Sequence, residues 1–334
     1  MEHDILSDVL RGIRLRGAAF YDYRFGSEWA AEAPPAAEIA PLLLPGAEHV
    51  MEYHVLVRGG GWAAVAGQPP VHLAEGDAVV LPRGDGHVMS SRPGLRPRPF
   101  DTAWAYAHRN DPRPVPFNAV GNGDPGIAQS PADAPNRLVC GFLCCDLLPF
   151  NPLLAQLPAL LHLPADADSG WIAQTLRQAL QASDERRPGN EAILERISEM
   201  LFVHAVRSYL ARLDPASTGW LAGLRDRRIG HALALLHATP ARDWTLDELG
   251  RQVGLSRSAL HDRFVELIGQ PPMQYLARWR MQLASTLLRG TSATVASIAL
   301  DVGYESEAAF TRAFKRTVGV PPAAWRRKAR RGCP

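Results

Sequence analysis

Two stretches near the C-terminus carry the side chains with the plainest chemistry. Residues 244–264 read Trp-Thr-Leu-Asp-Glu-Leu-Gly-Arg-Gln-Val-Gly-Leu-Ser-Arg-Ser-Ala-Leu-His-Asp-Arg-Phe. Residues 295–314 read Val-Ala-Ser-Ile-Ala-Leu-Asp-Val-Gly-Tyr-Glu-Ser-Glu-Ala-Ala-Phe-Thr-Arg-Ala-Phe. Each has a short apolar helix, a Gly-containing turn, a Ser in N-cap position and a second helix with polar residues facing out. Polar side chains on a helix that fits a groove can hydrogen-bond to base edges, which is the chemistry of DNA reading. Catalytic patterns fare badly beside it. Gly121-Asn-Gly123-Asp-Pro-Gly126 fits G-x-G-x-x-G, yet no strand precedes it and it lies in a Pro-rich stretch, so the match is accidental. There is no P-loop, no G-x-S-x-G and no helical His pair with metal spacing, and the chain is not expected to be an enzyme.

Charge supports a polyanionic partner for one part only. The net charge of +2 combines 18 Lys and Arg against 9 Asp and Glu from residue 220 onward with 18 against 25 before it. A basic C-terminal module meets nucleic acid while the acidic remainder does not. The 334 residues suffice for two domains, each with its own core. Residues 1–16 mix charges throughout instead of forming an apolar leader, and no apolar run approaches the roughly 18–20 residues that span a bilayer. Cys140, Cys144, Cys145 and Cys333 form no spaced disulfide framework, which fits a reducing cytoplasm.

The elements that must position these groups follow from periodicity. Residues 40–91 read as short strands: 52–57 ends at Gly59-Gly-Gly61, 62–66 at Gly67-Gln-Pro-Pro70, 71–73 at Glu75-Gly-Asp77, and 78–81 at Pro82. Turn signals every eight to twelve residues indicate an antiparallel sandwich or barrel. Residues 92–136 are rich in Pro and Gly, and their composition favours disorder over a lid. A strand returns at Arg137–Cys140. Helical periodicity begins at Trp171–Ser183 and continues over Glu191–Leu213, where Ile193, Ile197, Met200, Leu201, His204 and Tyr209 approximate one stripe. That stripe packs on the sheet or meets a second copy. Asp214–Trp220 reads as a linker, and Ile229–Ala238 presents Ile229, Leu233 and Leu236 on one seam. Thr245 and Glu248 form a capping box, and Gly254 supplies the turn. Leu260, Phe264 and Leu267 are the buried positions of the helix that follows. Pro271-Pro272 then starts a connecting helix to about Arg289, roughly 27 Å long at 1.5 Å per residue. Adjacent major grooves on one face of DNA lie roughly 34 Å apart, so one rod can set two heads on successive turns.

Residues 229–327 resemble the DNA-binding domain of the AraC/XylS family of bacterial transcription regulators. Both helix pairs, the connecting helix, Val302-Gly-Tyr-Glu-Ser306, Phe310-Thr-Arg-Ala-Phe-Lys315 and Gly319-Val-Pro-Pro322 carry the resemblance. It implies recognition helices at Ser256–Leu267 and Ser306–Val318. Ser256, Arg257, Ser258, His261 and Asp262 in the first, and Ser306, Glu307, Ala308, Thr311 and Arg312 in the second, then face the bases, with Lys315 and Arg316 better placed for phosphates. The first head departs from family members that carry a large aromatic and a Gln-Arg pair. Asp262 would repel phosphate, so it accepts from a cytosine amine or pairs with an Arg.

The N-terminal half is similar to cupin domains found on a subset of these regulators. Gly76-Asp-Ala-Val-Val-Leu-Pro82-Arg-Gly84-Asp-Gly-His87 matches the second cupin motif, with Ser91 where Asn is usual. Glu52 and Gly59 keep the separation of the first motif, but the His-x-His pair ahead of Glu52 is missing. His49, His54 and His87 are therefore weak metal candidates; Glu52, His54, Trp62 and His87 are better read as lining a pocket for an organic effector. No cofactor is expected. Leu138-Val-Cys140-Gly141 resembles a segment of that subset, some of whose members respond to oxidants. Cys140 and Cys144, which share a strand face opposite Cys145, are thus either buried apolar residues or a thiol sensor. The resemblance implies an α+β chain of two domains: an effector domain over 1–165, helices over 166–213, a linker over 214–228 and a double helix-turn-helix domain over 229–330. Its implied partners are promoter DNA, a small-molecule effector, RNA polymerase and a second copy of the chain. A metal-dependent cupin enzyme carrying a DNA-binding domain is the other class of reading.

Overall fold

The computed structural model describes residues 3–108, 111, 115–119, 134–146, 149–166, 169–185 and 187–331. Contacts divide them into two units, one drawn from 15–146 and 157–212, the other from 1–14, 147–156 and 213–334.

The helix α1 (Ile5–Ile13) precedes the first unit, which holds ten strands: β1 (Arg16–Phe25), β2 (Ala30–Ala33), β3 (His49–Arg58), β4 (Gly61–Val65), β5 (Val71–Leu73), β6 (Ala78–Leu81), β7 (His87–Ser90), β8 (Val115–Ala119), β9 (Asn136–Cys145) and β10 (Leu161–Leu163). They form one sheet in the order β10-β6-β3-β9-β1-β8 and a second in the order β2-β7-β4-β5. The pairs are antiparallel except β8, which runs parallel to β1. The short helices α2 (Ala36–Leu43) and α3 (Thr102–Ala107) lie between strands. Strands fall where expected within 40–91 and from 137, although 40–43 closes α2; those at 16–25, 30–33, 115–119 and 161–163 are additional.

Alternation on the strands decides what faces inward. Val79 and Leu81 pair with His54 and Glu52, and Leu138, Cys140 and Phe142 occupy the same face of β9. The other face of the large sheet is covered by α4 (Gly170–Asp184) and α5 (Asn190–Arg212). Buried Tyr53 and Ser198 share a hydrogen bond of 2.7 Å there. Gly141 has no side chain because a Cβ would sit 2.4 Å from the ring carbon of Tyr53 that bears its hydroxyl. The expected stripe on α5 splits. Ile197 and Leu201 are buried, with Leu194, Phe202 and Ala205, whereas Ile193 and Met200 are 49% and 45% exposed. The helix lies flat on the sheet, so its apolar surface is wider than the contact.

Within residues 92–136, expected to be disordered, α3 and β8 are regular. Asp101 caps α3 by accepting from the Trp104 N–H at 2.8 Å, and Ala105 is buried. The accidental Gly121–Gly126 match lies outside the described residues.

The second unit contains α1 and eight C-terminal helices: α6 (Trp220–Arg225), α7 (Arg227–Ala238), α8 (Leu246–Val253), α9 (Arg257–Ile268), α10 (Pro272–Gly290), α11 (Val295–Asp301), α12 (Glu307–Val318) and α13 (Pro322–Arg331). The expected linker over 214–228 is not one. Trp220 is 1% exposed and donates its indole N–H to Tyr275 Oη at 2.8 Å, because α6 packs on α7 and α9. Likewise α1, expected within the sensor domain, buries Ile5, Val9 and Ile13 at i, i+4 and i+8 and packs on α7. Phe150 of the 149–156 stretch meets Tyr275 edge-on at 5.5 Å. Among the described residues no helix is long and apolar enough to cross a membrane.

Candidate functional site

The two helix pairs are built by the same local rules. Thr245 Oγ1 accepts from the Glu248 N–H at 3.1 Å to start α8, and Gly254 ends it at φ 70°. Ser256 Oγ accepts from the Ala259 N–H at 3.2 Å and so starts α9. Leu260, Phe264, Leu267 and Ile268 turn inward. Arg257, Ser258 and Asp262 are left exposed, with His261 half-buried. In the second pair Ser306 Oγ caps α12 through the Ala309 N–H at 3.2 Å, and Phe310, Ala313 and Phe314 are buried. Glu307, Ala308, Arg312, Lys315 and Arg316 are exposed and Thr311 is half-buried. Apolar positions on one face of each helix thus determine which polar ones reach solvent.

The first head carries internal polar pairs that no motif shows. Asp262 Oδ1 lies 3.2 Å from His261 Nδ1, so its neighbour is the imidazole next to it and not an Arg. Arg257 reaches Asp247 at 3.4 Å. Arg263 turns to Asp226 at 3.0 Å, and Asp226 also caps α7. The connecting helix α10 runs 19 residues, about 28 Å. Its Trp279 and Tyr275 serve the first pair's core, while Met281, Ala284 and Leu288 belong to a cluster with Ile298, Phe310, Phe314 and Trp325. Its Arg280 donates to the carbonyls of Pro240, Arg242 and Gly303. No motif flags Arg280, because carbonyl recognition leaves no trace in side-chain types.

The barrel unit encloses a cavity of about 310 Å³. Tyr21, Tyr23 and Phe25 enter it from alternate positions of β1, and Trp29, Trp104 and Phe142 add further ring surface. The alternation of Tyr21, Tyr23 and Phe25 was a legible strand signal. Glu52 and His54 enter from β3 and Cys140 from β9.

Around them lies a chain of hydrogen bonds. The Asp85 carbonyl can only accept, so His87 Nδ1 donates to it at 3.0 Å and His87 Nε2 bears a lone pair. His54 Nε2 lies 2.6 Å from that nitrogen and donates to it. His54 Nδ1 then accepts from the Cys140 thiol, Sγ at 2.5 Å. Burial, with His87 adding to it, holds the His54 pKa well below its usual value, and burial brings His87 down to about 4. Glu52 is 3% exposed, burial pushes it up to about 8, and its Oε1 has no hydrogen-bond partner. Burial also pushes Cys140 far up, Cys144 to about 11 and Cys145 to about 12, so all three are thiols and not thiolate nucleophiles.

Among the described residues Glu52, His54 and His87 are the group whose donor atoms could hold a metal ion, all lying within 4.8 Å of one another. His87 fits that role, since its Nδ1–H···O=C bond leaves the Nε2 lone pair, which here accepts from His54, as the ligand atom. His49 does not belong to the group. It sits on the other face of β3, and its Nε2 donates to the Pro82 carbonyl at 2.8 Å. Trp62 is also displaced from the expected pocket. Ala63 and Val65 of β4 face the core, so Trp62 points outward and meets His72 edge-on at 4.9 Å. Cys144 is buried in the apolar core but does not line the cavity.

Comparison with known proteins agrees with both halves. Residues 4–211 match the Cupin family and residues 249–328 the Helix-turn-helix domain. A putative AraC-like transcription regulator of Streptomyces lividans is 34% identical over 97% of this chain and 98% of its own length. One from Streptomyces antibioticus is 32% identical over 97% and 98%. The HTH-type transcriptional regulator AlkR of Acinetobacter baylyi is 28% identical over 98% and 100%. Near full-length identity to such regulators shows an N-terminal effector domain joined to a DNA-binding one, and this chain is a member of the AraC-like family of transcription regulators.

Proposed function

We propose that the exposed residues of α9 and α12 read promoter DNA and that the barrel cavity binds a small-molecule effector whose occupancy changes DNA affinity. The observation that carries the first half is the exposure of Arg257, Ser258 and Asp262 on one head and Arg312, Lys315 and Arg316 on the other, beside capped N-termini. The second half is supported by a mainly apolar cavity with a few polar groups, the usual form of a small-molecule site. For occupancy to regulate, the effector must bind one arrangement of the protein more tightly than another. The chain acts in the cytoplasm by binding and not by turnover, with RNA polymerase as its further partner at the promoter. Ile193 and Met200, seven residues apart on the outer face of α5, support pairing with a second copy.

Sites mapped across the genome, followed by anisotropy titration of the recovered fragments, test this reading. The expected outcome is binding at least about a thousandfold tighter than to random duplex at matched salt. Equal binding to both would refute sequence reading by these helices.

A further inference from the structure

We propose that the effector held in the barrel is a small organic cation, an ammonium group on an aromatic body. The proposal rests on the reading above, that this cavity holds the effector, and adds the effector's chemistry.

Three features of the cavity point the same way. Its lining is rich in aromatic rings. Tyr21 lies 6.1 Å from Trp104 and 6.3 Å from Phe142, Tyr23 stacks over Phe25 at 5.8 Å, and Phe25 stacks over Trp29 at 4.3 Å. A ring face carries negative electrostatic potential and attracts a cation, and apolar walls exclude the water that would compete. The second feature is Glu52, a residue of the cavity lining whose buried Oε1 lacks any partner. An unmatched acceptor in a dry site favours a ligand that brings an N–H to it. The third is the charge of the lining. At the rim the carboxylates of Glu32 and Asp101 stand against the guanidinium of Arg98. An anion reaching that rim meets two carboxylates for one guanidinium, and a cation meets the reverse. The volume of about 310 Å³ falls at the small end of ligand sites, which limits the body to one or two rings. The indole N–H of Trp29, another residue of the lining, is also buried without a partner.

The test uses the full chain and three phenylalkyl probes: phenethylammonium, its neutral isostere 2-phenylethanol, and 3-phenylpropionate. Calorimetry measures each affinity, and anisotropy on a genomic binding site measures the effect on DNA binding. Phenethylammonium is expected to bind about tenfold tighter than either other probe. Glu52→Gln should erase that preference, and Glu52→Asp should keep part of it. Trp104→Ala, at the half-buried mouth, should weaken the ammonium probe more than the alcohol even if the Glu52 variants misfold. Trp62→Ala, on the outward face, should change none of the three. Equal or tighter binding of the alcohol or the carboxylate overturns the proposal, as does no saturable binding of any probe at millimolar concentration. One equivalent of zinc(II) that blocks the ammonium probe overturns it too, since the carboxyl would then be a metal ligand. The two readings fail separately. Ammonium-selective binding with unchanged DNA affinity leaves the cation site standing and removes the effector role. A shift in DNA affinity by the neutral or anionic probe alone keeps the effector role and removes the cation.

Discussion

Arg280 donates to the Gly303 carbonyl at 3.1 Å, and through this bond helix α10 holds the turn of the second helix pair. The same guanidinium donates to the Pro240 and Arg242 carbonyls, at 2.7 and 2.8 Å, on the approach to the first pair. One planar group therefore fixes both heads to the rod between them. Arg280→Ala leaves three carbonyls without their charged donor and should cost about 2–3 kcal/mol of stability, read by urea unfolding. It should also weaken binding to DNA carrying both half-sites about tenfold, with little change on a single half-site. Arg280→Lys should recover only part of this, because one ammonium cannot serve three directions. An unchanged two-site affinity would show that the heads need no such tie.

Arg312 is exposed near the start of α12, where a bidentate contact to guanine is reachable. Arg312→Ala should cost about 1–3 kcal/mol at the cognate site and relax preference at one base pair. Lys315→Ala should weaken all sequences alike and lower the salt dependence by about one phosphate contact. Binding-site selection with each variant separates the two; a uniform loss for Arg312→Ala would make it a phosphate contact.

Glu52 gives the barrel a pH signature. Its folded-state pKa is raised from the ordinary 4.5 to about 8, so the native form holds a proton that the unfolded chain gives up. That contribution is complete below pH 4.5 and is lost as pH rises through 8. His54 and His87 act with the opposite sign, their depressed values costing stability as pH falls from 6.5 through 4. Both histidines remain in Glu52→Gln, so the comparison isolates the carboxyl. The variant should gain on the parent between pH 5 and 8, by up to a few kcal/mol, in denaturant titrations. A constant difference across that range would mean that Glu52 is ionised in the folded protein.

Ile193 and Met200 expose apolar surface on α5 without serving the core beneath it. Met200→Glu should shift the chain towards monomer in sedimentation velocity, with an unfolding midpoint close to the parent's. A monomeric parent, or a variant that still pairs, would place the dimer contact elsewhere.

The sequence by itself determined the DNA-binding half almost completely. Caps at Thr245, Ser256 and Ser306, glycines at the turns, and apolar residues at helical spacing are local signals, and helices form from local hydrogen bonds. It also named Glu52, His54, His87 and Cys140, which the barrel brings together although up to 88 residues separate them in the chain. The tertiary structure alone decided which of the remaining candidates joined them. Trp62 and His49 have the right chemistry but the wrong parity, and a one-residue step on a strand sends a side chain to the opposite face. Only folding could show that the helix at residues 5–13 belongs with the distant C-terminal unit, because nothing local marks the surface its apolar stripe will cover. The burial that leaves the Glu52 Oε1 without a partner comes from rings on β1, β9 and the segments beside α3, and their convergence is a property of the two facing sheets and not of any motif.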